Sequence, residues 1–203
     1  MNPERDLTAA ALHRMSQPLT VLRGTAELAL TRPLEVSQMW ESLLTMARET
    51  ERVVALAEAL RALNTPPAAA PGAGAGTATY LAAELAPLAE AQGKRIALPS
   101  ATLRLPPGWA GPVLTLASLA LDRAQSCLSL RSERAGVGIA DDGAGLDAAA
   151  WARCFDPFAA GADIAAALRA ALARRQLEAW GATVGFGPEA GGGNQVRVAW
   201  QET

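Results

Sequence analysis

Two long amphipathic segments meet at Pro33 and constrain the fold of this chain more than any other feature. Within residues 4–31, and again from Pro33 to Leu63, apolar side chains recur at three- and four-residue spacing, the period of a helix with one buried face. Proline disfavours helical geometry in the residue before it and suits the first turn of a new helix. The sequence therefore predicts a helical hairpin over residues 1–64. Its apolar stripe comprises Leu12, Met15, Leu19, Leu22 and Ala26, then Val36, Met39, Trp40, Leu43, Met46, Ala47, Val53, Val54, Ala57 and Leu60.

A hairpin of two helices buries only part of such a stripe, so a further surface must cover the rest. The simplest solution is a homodimer with two-fold symmetry, in which two hairpins form a four-helix bundle. The alternative is that the C-terminal part of the same chain covers the stripe. We expect the dimer.

The remainder of the chain predicts a linker and a second domain of the α+β class. Residues 65–78 are rich in Pro and Gly and lack apolar periodicity, which indicates a flexible linker. Residues 79–203 alternate between helical and strand patterns, which predicts an α/β sandwich with a mixed sheet and helices on one face. Helices are expected near 79–92, 110–125, 148–154 and 163–180, and strands near 95–98, 102–105, 127–131, 137–140, 183–186 and 195–200.

Composition excludes several classes of function. Half of the residues are apolar and 19% are charged, which favours a globular protein, and a net charge of −2 indicates no general nucleic-acid surface. The isolated Cys127 and Cys154 are expected as free thiols in a reducing compartment. With no signal-peptide layout and no membrane-spanning run, we expect a cytoplasmic protein without a membrane partner. The tryptophans are expected as scattered core or interface residues without a stacking pattern: Trp40, Trp109, Trp151, Trp180 and Trp200.

His13 is the only histidine in the chain and lies one position off the apolar stripe of the first segment. Imidazole changes charge near neutral pH and is a good nucleophile. Its position predicts a side chain that flanks the helical core and stays accessible to a partner. On spacing alone, an ordinary surface or capping role is the alternative.

The residues around His13 resemble a known motif, and later segments extend the resemblance. His13, Pro18-Leu19-Thr20 and Leu22-Arg23-Gly24 resemble the phosphoacceptor helix of bacterial two-component sensor histidine kinases. In the second domain, three segments resemble the glycine and phenylalanine boxes of the family's ATP-binding domain. They are Val137 to Leu146, Cys154 to Phe158, and Gly191 to Asn194.

The resemblance implies a nucleotide site. An aspartate, here Asp141, would bind the adenine amino group, and Gly143 and Gly145 would let the backbone approach the nucleotide. Asp122 replaces the asparagine that holds magnesium in the family, and Arg123 could pair with it.

Further departures weaken this site. Asp163 and Ala165 replace two glycines of the second glycine box, and only Ala159 and Ala160 separate Phe158 from Gly161, which leaves no room for the usual ATP lid. We therefore expect Asp141, Gly143 and Gly145 to be a remnant that binds little or no ATP, and we expect no cofactor.

Two neighbours of His13 also bear on its chemistry. Arg14 stands where the family places a carboxylate that accepts the ring proton. Arginine cannot serve as that base, but it can stabilise a phosphorylated imidazole or an acidic partner. Gln17, one helical turn after His13, could position a water molecule for dephosphorylation of a partner. The alternative for Gln17 is an ordinary surface residue.

The resemblance and its departures together predict a histidine phosphotransferase. In this interpretation His13 accepts a phosphoryl group and passes it to or from the aspartate of a response-regulator receiver domain, and an upstream histidine kinase is a further candidate partner. The receiver would supply the phosphoaspartate and its magnesium ion. Two alternatives stay open: a divergent kinase that phosphorylates His13 from Mg-ATP, and a pseudokinase scaffold that carries no phosphate.

Overall fold

The computed structural model of the chain describes residues 3–31, 33–67, 77–99, 103–189 and 191–201. Within these ranges a helical hairpin precedes a sheet covered by helices. The helices are α1 (Pro3–Thr31), α2 (Val36–Asn64), α3 (Ala78–Ala91), α4 (Ala110–Arg123), α5 (Ala148–Phe155) and α6 (Ile164–Ala179). The strands are β1 (Arg95–Ala97), β2 (Cys127–Glu133), β3 (Gly136–Asp141), β4 (Thr183–Pro188) and β5 (Asn194–Ala199).

The turn of the hairpin is slightly longer than the sequence predicts. Helix α2 begins at Val36 and not at Pro33. The backbone N–H of Glu35 donates to the side-chain oxygen of Gln38 at 3.3 Å, which satisfies a donor that the helix start leaves unpaired. This local cap fixes the first residue of α2.

The predicted apolar stripe of the hairpin divides into two faces. On α1, Ala11 and Pro18 are buried, whereas Leu12 and Leu19 are 60% and 49% exposed and Leu30 is 87% exposed. Helix α2 continues this exposed apolar face. Its exposed apolar residues include Val36, Met39, Trp40, Leu43, Leu44 and Val54.

The second domain covers the end of the hairpin that includes Ala11. There Ala11 joins Leu56 and Ala59 of α2 in a buried cluster with Phe158, which lies between α5 and α6. Arg175 of α6 also donates a hydrogen bond to a backbone carbonyl near the end of α2, that of Leu63. The chain's own second domain therefore covers one end of the hairpin. Along the rest of it Met15, Leu22, Ala26, Met46 and Val53 are half-buried, whereas the apolar side chains listed above stay exposed.

The second domain is the predicted sandwich. Its five-stranded sheet has the order β1-β2-β3-β5-β4, in which β1 is parallel to β2 and the other neighbours are antiparallel. One face carries buried apolar side chains that join those of α4 and α6 in the core. The other face is polar and carries ion pairs, as between Arg131 and Glu189 and between Arg197 and Glu133. The inward-facing residues are Leu128, Leu130, Val137, Ile139, Val196 and Val198.

One expected strand of this domain is absent from the described residues. The strand expected at 102–105 is reduced to an isolated bridge between Arg104 and Thr77 in the described residues, because Leu103 and Leu105 are buried in the core and do not extend the sheet. Thr102 and residues 68–76 of the expected linker lie outside the described ranges.

The tryptophans are not scattered, because the fold gathers most of them into aromatic clusters. The ring of Trp109 lies 6.3 Å from that of Trp180 and 5.5 Å from that of Trp200. The ring of Trp151 stacks with Phe155 and Phe186 at 6.4 Å and 5.0 Å. Trp151 and Phe155 lie one turn apart on α5, but only the tertiary structure brings Phe186 to them and brings Trp109 to Trp180 and Trp200. Trp40, by contrast, is 63% exposed on α2.

None of the helices in the described ranges combines the length and the apolar character that crossing a membrane requires.

A single carboxylate joins the end of β3 to the start of β2. The Asp142 side chain accepts the Ser126 hydroxyl at 2.6 Å and the backbone N–H groups of Gln125, Ser126 and Cys127 at 2.8, 3.0 and 3.1 Å. These hydrogen bonds, the Ser126 hydroxyl above all, hold the pKa of Asp142 well below its usual value because they favour the charged form.

We expect Asp142→Asn to lower the melting temperature at neutral pH. The folded-state pKa is depressed, so the stabilisation is fully present above the unfolded pKa of about 3.9 and is lost as pH falls below it. The difference in melting temperature between wild type and variant should therefore be large at pH 7 and should shrink as the pH falls below ~4. Thermal denaturation across this pH range measures it.

Asp147→Asn is the matched control. Asp147 accepts one N–H, that of Ala150 at 2.7 Å, at the start of α5, and asparagine caps helices as well as aspartate does. Equal melting temperatures for wild type and Asp142→Asn at pH 7 would contradict the proposed role of Asp142.

Candidate functional site

His13 lies on the outer side of α1, and its side chain is exposed. Ala11 faces the second domain, and each helical residue is rotated by about 100° from the last, so His13 points to the opposite side. His13 is accessible, as its spacing predicts, but Leu12 beside it is 60% exposed and forms no core in the single chain. Ser16 does not compete for the ring, because its hydroxyl donates to the backbone carbonyl of His13 at 2.6 Å.

Gln17 and Pro18 follow on the next turn and face different ways. Gln17 is exposed on the same side as His13, as its spacing predicts, and its role with water stays a prediction. Pro18 is buried within α1 and lacks the N–H that would bond to the carbonyl of Arg14. The helix is therefore weakened one turn after His13.

Arg14 is half-buried and reaches the second domain. One guanidinium nitrogen donates to the backbone carbonyl of Ala159 at 3.1 Å. Ala159 lies between α5 and α6, in the place where the resemblance implies an ATP lid. Arginine has five N–H donors, so this contact leaves donors for other acceptors. The expected role of Arg14 beside a phosphorylated imidazole stays a prediction.

The carboxylate of Asp141 is buried, and groups of the chain itself surround it. It accepts hydrogen bonds from the Asn194 side-chain amide at 2.8 Å and from the Gly143 N–H at 3.1 Å. It also forms an ion pair with the Arg123 guanidinium at 3.3 Å. Only 1% of the Asp141 side chain is exposed. The group that would recognise adenine is therefore already engaged.

The expectation that Arg123 pairs with Asp122 is wrong. Asp122 is exposed at the end of α4 and accepts the Gln92 side-chain amide at 2.8 Å. Adjacent helical residues point in directions about 100° apart, which turns Arg123 towards the interior. There it pairs with Asp141 and lies 5.6 Å from the Trp151 ring.

Two glycines of the remnant boxes serve contacts within the protein. A Cβ atom on Gly143 would lie 2.5 Å from the backbone oxygen of Arg123, and one on Gly193 would overlap the Asp141 carbonyl. Gly193 also has a φ of +86°, which other residues rarely adopt. Both glycines therefore let one turn lie against another. Gly145 meets nothing within 4 Å, and its predicted role is not tested.

A cavity of about 430 Å³ between α4, α5 and α6 contains only part of the predicted nucleotide site. Asp122, Gly161 and Asp163 line it together with mostly apolar side chains. Asp141, Gly143 and Gly145 are not part of its wall. The structure therefore separates the residues expected near the phosphates from those expected near the base.

A carboxylate occupies the helix start that the resemblance assigns to phosphates. Asp163 accepts the Ala166 N–H at 3.1 Å and so caps α6. The segment from α5 to α6 is short and folds into turns, held by a bond of 2.8 Å from the Phe158 N–H to Asp156. No group of three or more His, Cys, Asp or Glu side chains within the described ranges is placed to hold a metal ion.

Sequence reasoning missed the role of Asn194. This fully buried side chain donates to Asp141 and to the Ala144 carbonyl at 2.9 Å, and it accepts the Leu146 N–H at 2.8 Å. Asparagine is unfavourable in strands, so its place at the start of β5, directly after Gly193, was the available signal.

We expect Asn194→Ala to lower the free energy of unfolding by about 1–3 kcal/mol, because it leaves buried polar groups without partners. Denaturant unfolding measures the change. Gln195→Ala is the matched control, since the half-buried Gln195 lies on the polar face of the sheet. A loss no larger for Asn194→Ala than for Gln195→Ala would show that this network does not hold the turn.

Comparison with solved structures finds this fold elsewhere. Full-length ShkA in complex with AMPPNP aligns with a TM-score of 0.54 and 22% identity, over 100% of this chain and 47% of that one. The cytoplasmic segment of histidine kinase QseC aligns with a TM-score of 0.48 and 15% identity, over 79% of this chain and 94% of that one. The Acinetobacter baumannii histidine kinase AdeS aligns with a TM-score of 0.48 and 16% identity, over 94% of this chain and 98% of that one.

The chain thus spans about half the length of ShkA. No protein-family model matches the sequence, and no curated protein matches it. These likenesses concern the fold. The chain shares its fold with the aligned part of ShkA: a helical hairpin precedes an α/β sandwich.

Proposed function

We propose that this kinase-like two-component protein is a cytoplasmic histidine phosphotransferase. His13 accepts a phosphoryl group and passes it to or from the aspartate of a response-regulator receiver domain, and the chain binds little or no ATP. The observation that carries the proposal is the engagement of the Asp141 carboxylate by Arg123, Asn194 and the Gly143 N–H.

Adenine binding would have to break this network. The amino group of adenine needs a free acceptor, and the Asp141 carboxylate is buried with three donors around it. Separating a buried ion pair leaves an uncompensated charge, which is strongly destabilising. The network therefore opposes the first contact that the family makes with nucleotide.

Charge near the expected phosphate site opposes ATP as well. Asp122 and Asp163 line the cavity together with Arg153 and Arg169, so two carboxylates offset the two free guanidinium groups that a triphosphate would need. Like charges repel strongly where water is partly excluded. The short connection between Phe155 and Ile164 provides no segment long enough to close over a nucleotide.

The exposed imidazole of His13 is suited to an exchange between proteins. A neutral ring nitrogen attacks the phosphorus of the receiver's aspartyl phosphate, an N–P bond forms, and the P–O bond to the aspartate breaks. The aspartate leaves as a carboxylate with the bonding electron pair, and the other ring nitrogen keeps its proton. The reverse step returns the phosphoryl group. The receiver supplies the phosphoaspartate and its magnesium ion.

The exposed apolar face of the hairpin supports a homodimer. Leu12, Leu19 and Leu30 of α1 lie beside the exposed apolar side chains of α2, Met39 and Leu43 among them. Two such faces can bury each other in a four-helix bundle. His13 points about 100° away from Leu12, so the bundle leaves the ring in solvent.

We expect purified wild-type protein to acquire ³²P from a phosphorylated receiver domain, and His13→Ala to acquire none. Phosphoimidazole is labile to acid and stable to base, so acid treatment should release the label. Thr20→Ala is the matched control, because it alters an exposed residue two helical turns along the same face of α1 and keeps the nucleophile.

A titration with Mg-ATP distinguishes the alternatives. We expect no thermal shift and no labelling of His13 from [γ-³²P]ATP. Labelling from ATP would establish a divergent kinase. Failure of wild-type protein to take up label from its cognate phosphorylated receiver, with normal signalling by His13→Ala in cells, would establish a scaffold.

We expect the protein to be a dimer in solution, and Leu19→Glu combined with Leu43→Glu to be a monomer. Leu19 and Leu43 are 49% and 48% exposed in the single chain, so the charges disrupt the dimer face and leave the hairpin folded. Light scattering after gel filtration measures the mass, and circular dichroism verifies the helices. Glu51→Lys, at an exposed polar position of α2, is the control. A monomeric wild type would contradict the dimer.

A further inference from the structure

We propose that the cavity between α4, α5 and α6 binds a medium-chain aliphatic monocarboxylate. The cavity measures about 430 Å³, within the range of small-molecule sites. Its wall is aliphatic along most of its depth, and it lies beside the Asp141 network without including Asp141. The assignment therefore concerns a different chemistry from nucleotide recognition.

Small side chains on α6 create the space. Ala166, Ala167 and Ala170 line one wall, and Leu116 and Leu119 of α4 lie across from them. Val196, Leu146 and Phe155 contribute to the rest of the wall. Such a surface provides apolar contact area for methylene groups. It has few hydrogen-bonding groups that could pair with a nucleotide base, so it favours an acyl chain.

Charges around the cavity select an anion with one negative charge. Arg153 and Arg169 line it, both are exposed, and neither forms an ion pair with a carboxylate in the described ranges. The third arginine in the wall, Arg123, is committed to Asp141. The free guanidinium groups can therefore bind a carboxylate head.

The acidic side chains at the same cavity set the upper limit of ligand charge. Asp122 accepts a hydrogen bond from Gln92 and Asp163 caps α6, and within the described ranges neither forms an ion pair with Arg153 or Arg169. Both would repel a polyanion such as a triphosphate. A ligand with one carboxylate experiences less repulsion than a polyanion and can still bind the free guanidinium groups, and its chain can contact the alanines of α6.

Calorimetric titration of the full chain with decanoate, below its micelle concentration, tests the proposal. We expect saturable binding at one site per chain. Octanoate lacks two buried methylenes and should bind about tenfold more weakly, and decanol lacks the charge and should also bind more weakly. Equal affinity for octanoate, decanoate and decanol, or no saturable binding, would overturn the proposal.

Variants locate the site. Arg153→Ala combined with Arg169→Ala changes exposed side chains and should weaken decanoate binding about tenfold. Ala166→Leu should fill the cavity and abolish binding. Arg134→Ala is the control, since the exposed Arg134 is not part of the cavity wall, and it should bind as wild type does.

Unchanged affinity in both cavity variants would place the ligand elsewhere and overturn the proposal. If Ala166→Leu fails to fold, the double arginine variant alone decides the outcome. The readout is independent of phosphotransfer by His13, so failure here leaves the proposed function standing, and the converse also holds.

Discussion

The carboxylate of Asp141 is held by a guanidinium, a side-chain amide and a backbone N–H inside the second domain, and the organisation of that domain depends on this network. A buried charge is stable only when donors surround it, so Arg123 and Asn194 must stay in place. Asn194 extends the network to Leu146, because its side-chain oxygen accepts the Leu146 N–H. Leu146 also lines the cavity. The interaction that stabilises the turn thus also engages the carboxylate on which the proposal of weak ATP binding rests.

The hairpin and the second domain are connected through a few specific contacts. Ala11 and Phe158 belong to one buried cluster, and Arg14 donates to the Ala159 carbonyl. Ala11 lies on the side of α1 opposite His13, and Arg14 is rotated by about 100° from it. The second domain therefore contacts one end of the hairpin, and the imidazole and the exposed apolar side chains stay in solvent in the single chain.

Much of this arrangement could be predicted from local patterns. The two apolar periodicities separated by Pro33 predict the hairpin, and the alternating patterns after residue 78 predict the mixed sheet with helices on one face. The exposure of His13 follows from its offset from the stripe. Predictions from long periodic segments are reliable because each helical turn repeats the same requirement for burial. The prediction of a strand at 102–105 was wrong because two alternating apolar residues, here Leu103 and Leu105, fit a strand or a loop that packs on the core equally well.

The sequence by itself determined the hairpin, the position of His13 on its outer side and the short α5–α6 connection, because neighbouring residues decide each of these features. Only the tertiary structure decided that Arg123 pairs with Asp141, that Asn194 completes the network and that the tryptophans cluster. These partners are far apart along the chain. Their contacts depend on how helices and strands pack, and the residues next to each partner in the sequence do not determine that packing.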